Sequence, residues 1–224
     1  MRSMSVGFFQ EVFTGFVSLV YPPHCLTCKR PLPSDAQERL CSVCWMHLPE
    51  NRILPPNLPP LAWAKAACAY EGLAKRCVLL LKYNARQGLA EPMAQRMVQI
   101  LQQSYIPMPD LVISIPLYAT RLRQRQFNQA ELIARAIGRR TGLPVLTENL
   151  IRHKPSRIQS TLSAGQRRQN VRGIFSVRSA EQIAGRNIAL IDDVLTTGST
   201  AKACAEVLLK AGAQTVGILA FAHG

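Results

Sequence analysis

The sequence predicts an α/β protein, in which a mostly parallel sheet with flanking helices follows a small N-terminal module. Short apolar segments alternate with segments of helical periodicity between residues 73 and 221. Four cysteines lie within residues 25–44, and five prolines follow within residues 49–60. A proline-rich stretch cannot form regular structure, so we expect a domain boundary there. The predicted domains are residues 1–61, comprising an N-terminal helix, the cysteine module and a linker, and residues 62–224, the α/β domain.

The N-terminal residues are expected to form an amphipathic helix rather than a signal peptide. Apolar side chains recur at spacings of three and four, at Phe9, Val12, Phe13, Phe16, Val17 and Val20. Gln10 and Glu11 interrupt the apolar core that a signal peptide needs. Packing against the protein itself is favoured over a membrane surface, because the polar face carries little basic character. No segment approaches the roughly 18 apolar residues of a membrane span, and we predict a cytoplasmic protein.

The four N-terminal cysteines have the spacing of a metal site. They form two Cys-x-x-Cys pairs separated by 12 residues, and each pair can present two thiolates from one turn. A redox-active Cys-x-x-Cys pair is the alternative, but the doubling and the short separation favour tetrahedral Zn²⁺. Four thiolates leave no open coordination position, so the zinc is expected to be structural. The predicted ligands are Cys25, Cys28, Cys41 and Cys44.

The rest of the chain supplies the helices and strands of the sheet. Helical periodicity predicts helices at residues 73–83, 89–103 and 130–141, the last closed by Gly142. Short apolar runs predict strands at residues 111–115, 145–146, 174–177, 188–191 and 215–221. In such sheets, ligands bind beyond the carboxyl ends of the strands. Walker A, dinucleotide-binding and His-Glu-x-x-His patterns are absent, so the sequence gives no support for nucleoside triphosphate hydrolysis or metalloprotease chemistry.

The stretch after residues 188–191 is the most informative part of the chain. Asp192 and Asp193 follow this apolar run at the expected end of the strand, and a loop of threonine, glycine and serine opens a helix near Ala201. Backbone N–H groups at a helix start suit a phosphate, and two carboxylates suit a vicinal diol. An ordinary helix cap is the alternative, but a cap needs one such residue and here at least five occur together. A phosphate and a diol at this separation describe a ribose 5-phosphate.

The order of these residues resembles the phosphoribosyl pyrophosphate (PRPP) motif of type I phosphoribosyltransferases: four apolar residues, two acids, two variable residues and Thr-Thr-Gly. The resemblance implies that the acid pair binds the ribose hydroxyls and that the loop binds the 5-phosphate. It also implies that the turn after the strand at residues 111–115 meets the pyrophosphate, with Mg²⁺ bound alongside. Asp193 is the candidate catalytic acid, whereas the acceptor substrate and turnover stay open. The residues of this predicted PRPP pocket are Asp192, Asp193, Val194, Leu195, Thr196, Thr197, Gly198, Ser199, Thr200, Pro116, Leu117 and Tyr118.

Further motifs extend the resemblance over roughly residues 21–221. They are Leu81-Lys82-Tyr83, the string Arg-Gln-Arg-Gln-Phe-Asn-Gln at residues 123–129, Arg157-x-Gln159-x-x-Leu162 and Arg167-x-x-Asn170-Val171. Together with the cysteine module they resemble the ComF/GntX family of bacteria. That family implies a type I phosphoribosyltransferase-like domain, a zinc finger, and the handling of single-stranded DNA in natural transformation, with competence-machinery proteins as further partners. Gln126 stands where the family usually carries glycine, and a turn that needs positive φ there would be strained.

The positive charge of the chain points to an anionic partner. Lys+Arg 27 against Asp+Glu 13 gives a net charge of +14, and residues 121–186 hold 14 basic and 3 acidic residues, hence +11. The polar stretch at residues 157–170 is expected to be a loop that closes over PRPP or pairs with DNA phosphates. We favour a protein that handles single-stranded DNA and binds PRPP or a nucleotide-like molecule. An active phosphoribosyltransferase of nucleotide salvage and a PRPP- or nucleotide-responsive regulator are the alternatives. The predicted nucleic-acid contacts are Lys82, Tyr83, Arg121, Arg123, Arg125, Asn128, Gln129, Arg157, Gln159, Arg167, Arg168 and Asn170.

Overall fold

The computed structural model describes residues 23–25, 27–33, 40–50, 58–83, 87–154 and 173–224. The chain divides into two compact units, residues 1–48 and residues 49–224. The domain boundary predicted at residue 61 stays a prediction. The predicted N-terminal helix and most of the proline-rich stretch lie outside the described residues. So do five predicted nucleic-acid contacts, namely Arg157, Gln159, Arg167, Arg168 and Asn170.

The first unit contains a short helix, α1 (Ser42–Met46), which begins at the second cysteine pair. The Cys41 side chain caps this helix by accepting a hydrogen bond from the Cys44 backbone N–H. The first cysteine pair lies in a tight turn, in which Cys25 donates its backbone N–H to the Arg30 carbonyl at 2.8 Å. Each cysteine pair is therefore held by the backbone of its own turn.

The second unit is built on a five-stranded sheet with the order β1-β7-β6-β2-β3, and all of its pairings are parallel. A separate antiparallel pair is formed by β4 and β5. Together with the four-cysteine module, this arrangement confirms the predicted fold class of a mostly parallel sheet with flanking helices. The strands are β1 (Trp63–Ala69), β2 (Leu111–Ser114), β3 (Val145–Leu146), β4 (Leu150–Arg152), β5 (Phe175–Val177), β6 (Asn187–Leu195) and β7 (Thr215–His223).

Helices cover both faces of this sheet. On one face, α3 packs against α5, and the two helices contact β1, β7, β2 and β6. On the other face, α6 contacts β7 and β5, and its buried Cys204 and Leu208 share an apolar core with Ile188 and Leu190 of β6. Within the described residues, no helix is long and apolar enough to cross a membrane. The helices of this unit are α2 (Gly72–Tyr83), α3 (Ala90–Gln103), α4 (Ala119–Arg125), α5 (Gln129–Thr141) and α6 (Ser199–Lys210).

Strand β6 is longer than the sequence predicts. Its neighbour β2 stops pairing at Ser114 and Ile191, but β7 continues the ladder to Leu195. The expectation that Asp192 and Asp193 leave the strand end is therefore wrong, because both lie inside β6. Successive side chains of a strand point to opposite faces, so the two carboxylates are directed to different sides of the sheet.

Candidate functional site

The four cysteines of the first unit converge on one point. Their sulfur atoms all lie within 4.8 Å of one another, with Cys25 and Cys44 at 3.7 Å and Cys28 and Cys41 at 3.6 Å. Tetrahedral zinc with bonds of about 2.3 Å would place its sulfur ligands about 3.8 Å apart. Backbone N–H groups donate to two of the sulfurs at 3.4 Å, which suits thiolates. The donor set and its geometry fit a structural zinc site.

Asp193 points toward the α2 side of the sheet and is almost completely buried, with 6% of the residue exposed. One of its carboxylate oxygens lies 2.9 Å from the Lys82 ammonium, near the end of α2. Lys82 is itself largely covered, since 18% of its side chain is exposed. Opposite charges at this distance compensate each other when water is excluded. Lys82, predicted as a nucleic-acid contact, is thus the cation partner of the candidate catalytic acid.

Asp192 is half-buried on the opposite side, where α6 and β4 lie. It accepts a hydrogen bond from the Asp193 backbone N–H at 2.8 Å. Burial, together with the neighbouring Asp193 charge, raises the pKa of Asp192 to about 8. The half-buried Arg152 of β4 lies close enough to interact electrostatically with Asp192, and burial lowers the pKa of this guanidinium. Asp192 is therefore a carboxyl group whose protonated form is favoured by its surroundings.

The loop at residues 196–200, which is predicted to bind the 5-phosphate and is called the phosphate-type loop, joins β6 to α6. Thr196, Thr197 and Ser199 are exposed, whereas Gly198 is buried and adopts a left-handed φ of 72°. A Cβ atom added at Gly198 would lie 2.8 Å from a methyl group of Leu58, so only glycine fits without displacing Leu58. The N-cap residue of α6, Gly198, has no side chain to cap the helix, and the Ser199 N–H donates to the Thr197 hydroxyl oxygen at 3.4 Å. Val194 and Leu195, predicted as loop residues, are the last residues of β6.

The turn after β2 lies beside the acid pair, as the PRPP resemblance implies. Ile115 donates its backbone N–H to the Ile191 carbonyl at 3.0 Å, which fixes the start of the turn next to β6. Pro116, Leu117 and Tyr118 are half-buried between β2 and α4. The structure therefore brings the predicted pyrophosphate turn and the predicted diol-binding acids to the same edge of the sheet.

A groove of about 530 Å³ lies next to Lys82, between the end of α2 and helix α4. Helix α4 has no buried residue and exposes both Arg121 and Arg123. Four predicted nucleic-acid contacts line the groove, and Arg123 lies on the same helix. The lining residues are Lys82, Tyr83, Arg121, Gln124, Arg125, Gln126 and Phe127. The sequence does not point to Gln124 and Gln126 as groove residues, because exposed polar side chains on a short helix leave no periodic signal.

The backbone at Gln126 adopts the left-handed conformation, with φ 63°. This residue ends α4 and donates its N–H to the Leu122 carbonyl at 2.7 Å. A left-handed residue at a helix end is usually glycine, because a Cβ atom there costs roughly 1 kcal/mol. The turn with positive φ that the family's glycine suggests is thus present, and glutamine occupies it.

Asn128 and Gln129 are predicted to contact nucleic acid, but the structure buries them, with 8% and 2% of each residue exposed. Asn128 caps α5 by accepting from the Ala130 N–H at 3.1 Å, and its amide donates to the Ile115 carbonyl at 3.0 Å. Gln129 accepts a hydrogen bond from Arg125 at 2.9 Å. Asn128 thus ties the start of α5 to the turn after β2, and Gln129 ties it to α4. Direct contact with a ligand does not fit the burial of these two residues.

Comparison with known proteins identifies the relatives of this chain. Residues 16–56 match the model of a double zinc ribbon domain. The DNA utilization protein YhgH of Escherichia coli O157:H7 is 30% identical over 201 residues, which is 86% of each chain. The chain belongs to the ComF family. Two further relatives are competence protein F of Haemophilus influenzae, 36% identical over 119 residues (53% of this chain and 52% of that one), and competence protein ComFC of Bacillus subtilis, 26% identical over 188 residues (84% and 72%).

This ComF chain also shows distant similarity to solved structures. One is the allosteric regulatory enzyme of purine biosynthesis, with a TM-score of 0.42 and 21% identity, covering 64% of this chain and 30% of that chain. Another is the glutamine PRPP amidotransferase from B. subtilis complexed with ADP and GMP, with a TM-score of 0.43 and 21% identity, covering 63% and 30%. This chain thus spans less than a third of the length of either protein. The predicted ComF membership is confirmed by sequence alone.

Proposed function

We propose that this ComF-family protein handles single-stranded DNA in natural transformation, and that it binds PRPP or a related sugar phosphate at the end of β6. The observation that supports the proposal is the position of Lys82. Lys82 lines the groove beside α4, and its ammonium is the ion-pair partner of Asp193 in the predicted PRPP pocket. A DNA groove and a sugar-phosphate pocket that share a residue would act as one site. The relatives named as competence and DNA utilization proteins favour the same role.

The basic groove supports the DNA part of the proposal. Arg121 and Arg123 are exposed on α4, where guanidinium groups can pair with backbone phosphates. Tyr83, 68% exposed, and the half-buried Phe127 add aromatic faces to the same surface. A charged groove with interleaved aromatic rings is typical of proteins that bind single strands without strict sequence preference.

The PRPP part of the proposal is supported by the elements at the carboxyl ends of β2 and β6. The backbone N–H groups at the start of α6 and the exposed hydroxyls of Thr197 and Ser199 would offer donors to a 5-phosphate. Asp192 and Asp193 offer acceptors to ribose hydroxyls, and the turn at Pro116 would meet the pyrophosphate. Mg²⁺ would bind through oxygens of the ligand and, when bound, would neutralise charge on the pyrophosphate.

Active phosphoribosyl transfer, with Asp193 as the catalytic acid, is the second candidate function. The acid pair and Gly198, which are required for a PRPP pocket, are all present in this chain. Binding without turnover would make the protein a PRPP- or nucleotide-responsive regulator of DNA or partner binding. A measurement of pyrophosphate release from PRPP with candidate bases and amines distinguishes a transferase from a regulator, because only the transferase releases pyrophosphate.

The proposal is tested by titrating a fluorescent single-stranded oligonucleotide at two salt concentrations, with and without PRPP and Mg²⁺. We expect salt-sensitive binding whose affinity changes when PRPP is present. Arg121→Gln combined with Arg123→Gln should flatten the salt dependence by a slope of about 0.7 for each arginine–phosphate pair that the substitutions remove. Arg186→Gln is the matched control, since Arg186 is exposed but precedes β6, at the opposite end of this strand from the acid pair. A wild-type protein that binds no DNA at physiological salt would overturn the proposal and favour a transferase.

A further inference from the structure

Two side chains that line the groove, Tyr83 and Arg125, form a stack that the buried Gln129 anchors. The Arg125 guanidinium lies over the Tyr83 ring, 5.3 Å from its centre. The same guanidinium donates a hydrogen bond at 2.9 Å to the Gln129 side-chain carbonyl. Gln129 is 2% exposed and is the first residue of α5, so it anchors Arg125 to the packed part of the domain. Arg125 is consequently held in one position by a ring on one side and a buried amide on the other.

The orientation of the Gln129 amide indicates that this residue positions Arg125. A guanidinium has only donors, so the amide must present its oxygen to Arg125. Its NH₂ group is then buried and lacks a hydrogen-bond partner among the described residues. An unpartnered buried donor is unfavourable. Here this cost arises because the amide oxygen is used to hold Arg125. Gln129 therefore acts through Arg125, as a positioning residue.

Tyr83 is the exposed end of this stack. It is the last residue of α2, and 68% of it is accessible. Arg125 lies over one face of the ring, and the exposure of Tyr83 leaves much of the ring accessible to a flat ligand group. The Arg125 guanidinium already donates one hydrogen bond to Gln129 and lies over the Tyr83 ring. Arg121 and Arg123 of the same helix, in contrast, are exposed. Phosphate pairing therefore suits Arg121 and Arg123, and stacking suits Arg125 with Tyr83.

We propose that Tyr83 and Arg125 form a stacking platform for an unstacked nucleobase of single-stranded nucleic acid, held in place by Gln129. The inference rests on the proposed DNA function and adds that the groove recognises bases as well as backbone. Stacking of a base on an aromatic ring commonly changes affinity about tenfold and tolerates every base, since each has a π face. The platform would therefore select single strands, whose bases can turn outward, over duplexes.

The test compares two oligonucleotides of equal length, one with normal bases and one abasic, by fluorescence anisotropy at low salt. Tyr83→Ala should weaken binding of the normal strand about tenfold and leave the abasic strand unchanged. Tyr83→Phe keeps the ring and should keep most of the affinity. Tyr105→Ala is the matched control, because Tyr105 is fully exposed and is not among the residues that line the groove.

Arg125 and Gln129 are tested on the same two strands. Arg125→Lys keeps the charge but loses the flat guanidinium, so only the normal strand should bind less tightly. Arg186→Lys, at the exposed position before β6, is the control and should affect neither strand. Gln129→Leu should reproduce the effect of Arg125→Lys, and Gln129→Glu, which retains an acceptor, should restore binding. If Gln129→Leu fails to fold, Arg125→Lys alone decides.

The outcomes separate the two proposals. Equal losses on normal and abasic strands, or no loss with Tyr83→Ala, would overturn the platform and leave the DNA function in place. A wild-type protein that binds neither strand at low salt would overturn the DNA function and the platform with it.

Discussion

Asp192 and Asp193 are neighbours in the sequence, yet they lie in different environments. Asp193 is buried beside a lysine ammonium at 2.9 Å. Asp192 is half-buried toward α6 and β4, and its pKa is raised to about 8 by burial and by the charge of Asp193. The difference follows from strand geometry, because consecutive residues of β6 face opposite sides of the sheet. A motif that resembles a matched pair of acids thus contains one carboxyl group in a direct ion pair with lysine and one whose pKa is raised.

This contrast bears on ligand binding. A diol that hydrogen-bonds to Asp193 meets a carboxylate paired with the Lys82 ammonium, whereas burial and the Asp193 charge raise the pKa of Asp192. Because Lys82 also lines the groove, an anion in the groove would compete with Asp193 for the same ammonium. The comparison predicts that the two acids respond differently to mutation and to pH.

The largest expected effect is the loss of PRPP binding when both acids are replaced. Asp192→Asn with Asp193→Asn removes both carboxyl groups that are proposed to bind the ribose hydroxyls, and we expect affinity to fall at least about 100-fold. Isothermal titration calorimetry with PRPP and Mg²⁺ measures this loss, and circular dichroism checks that the fold is kept. If the double variant bound PRPP with wild-type affinity, the assignment of the PRPP pocket to the end of β6 would be wrong.

The next effect concerns the ion pair. Asp193→Asn leaves the Lys82 ammonium largely covered and without its carboxylate, so we expect a loss of roughly 2–3 kcal/mol in the free energy of unfolding. Adding Lys82→Met should recover most of this loss, because no isolated charge then remains. Urea unfolding of the two single variants and the double variant gives the coupling energy. Additive losses would mean that the pair contributes nothing to stability.

Asp192→Asn alone should stabilise the protein at alkaline pH. Because the folded-state pKa of Asp192 is raised, its contribution is fully favourable below the unfolded value near 4 and is lost as the pH rises through about 8. The variant should therefore exceed the wild type by about 1 kcal/mol or more at pH 9, and this advantage should vanish near pH 4. Thermal unfolding across this range measures the difference. A constant difference at every pH would contradict the raised pKa.

The smallest effect is expected at an exposed ion pair whose N–O distance is similar to that of Lys82 and Asp193. Arg178 and Glu148 are joined at 3.0 Å, but 60% and 81% of their side chains are accessible. Water screens such a pair, so Arg178→Gln should change the free energy of unfolding by no more than about 0.5 kcal/mol. The same urea experiment that tests Lys82 and Asp193 measures it. A loss as large as that of the buried pair would show that burial is not what distinguishes them.

The sequence predicts the parts of this protein whose signal is local. Residues 188–200 carry strand, acids, loop and helix start in one continuous stretch, and the cysteine spacing is sufficient to identify the metal site. Helices α2, α3 and α5 have clear apolar periodicity and begin within one residue of their predicted starts. A local pattern of this kind predicts its helix well, because each helix buries its own apolar face in the folded protein.

The parts that the sequence does not predict depend on distant partners. Strand β1 is rich in alanine, a poor strand former, and forms because β7 pairs with it along its length. Helix α4 has no buried residue and so shows no apolar stripe. The ion pair of Lys82 with Asp193 joins two elements separated by most of the domain. The extension of β6 to Leu195 likewise comes from β7, which continues past the end of β2.

The packing of Leu58 against Gly198 sets a limit on how far the chain can be shortened. Leu58 precedes the first strand by five positions, yet its methyl groups occupy the space that a side chain at Gly198 would need. A protein shortened to begin at Ala62 would keep every strand of the sheet but would expose the underside of the phosphate-type loop. The smallest version of this domain that preserves the loop is therefore expected to start before Leu58.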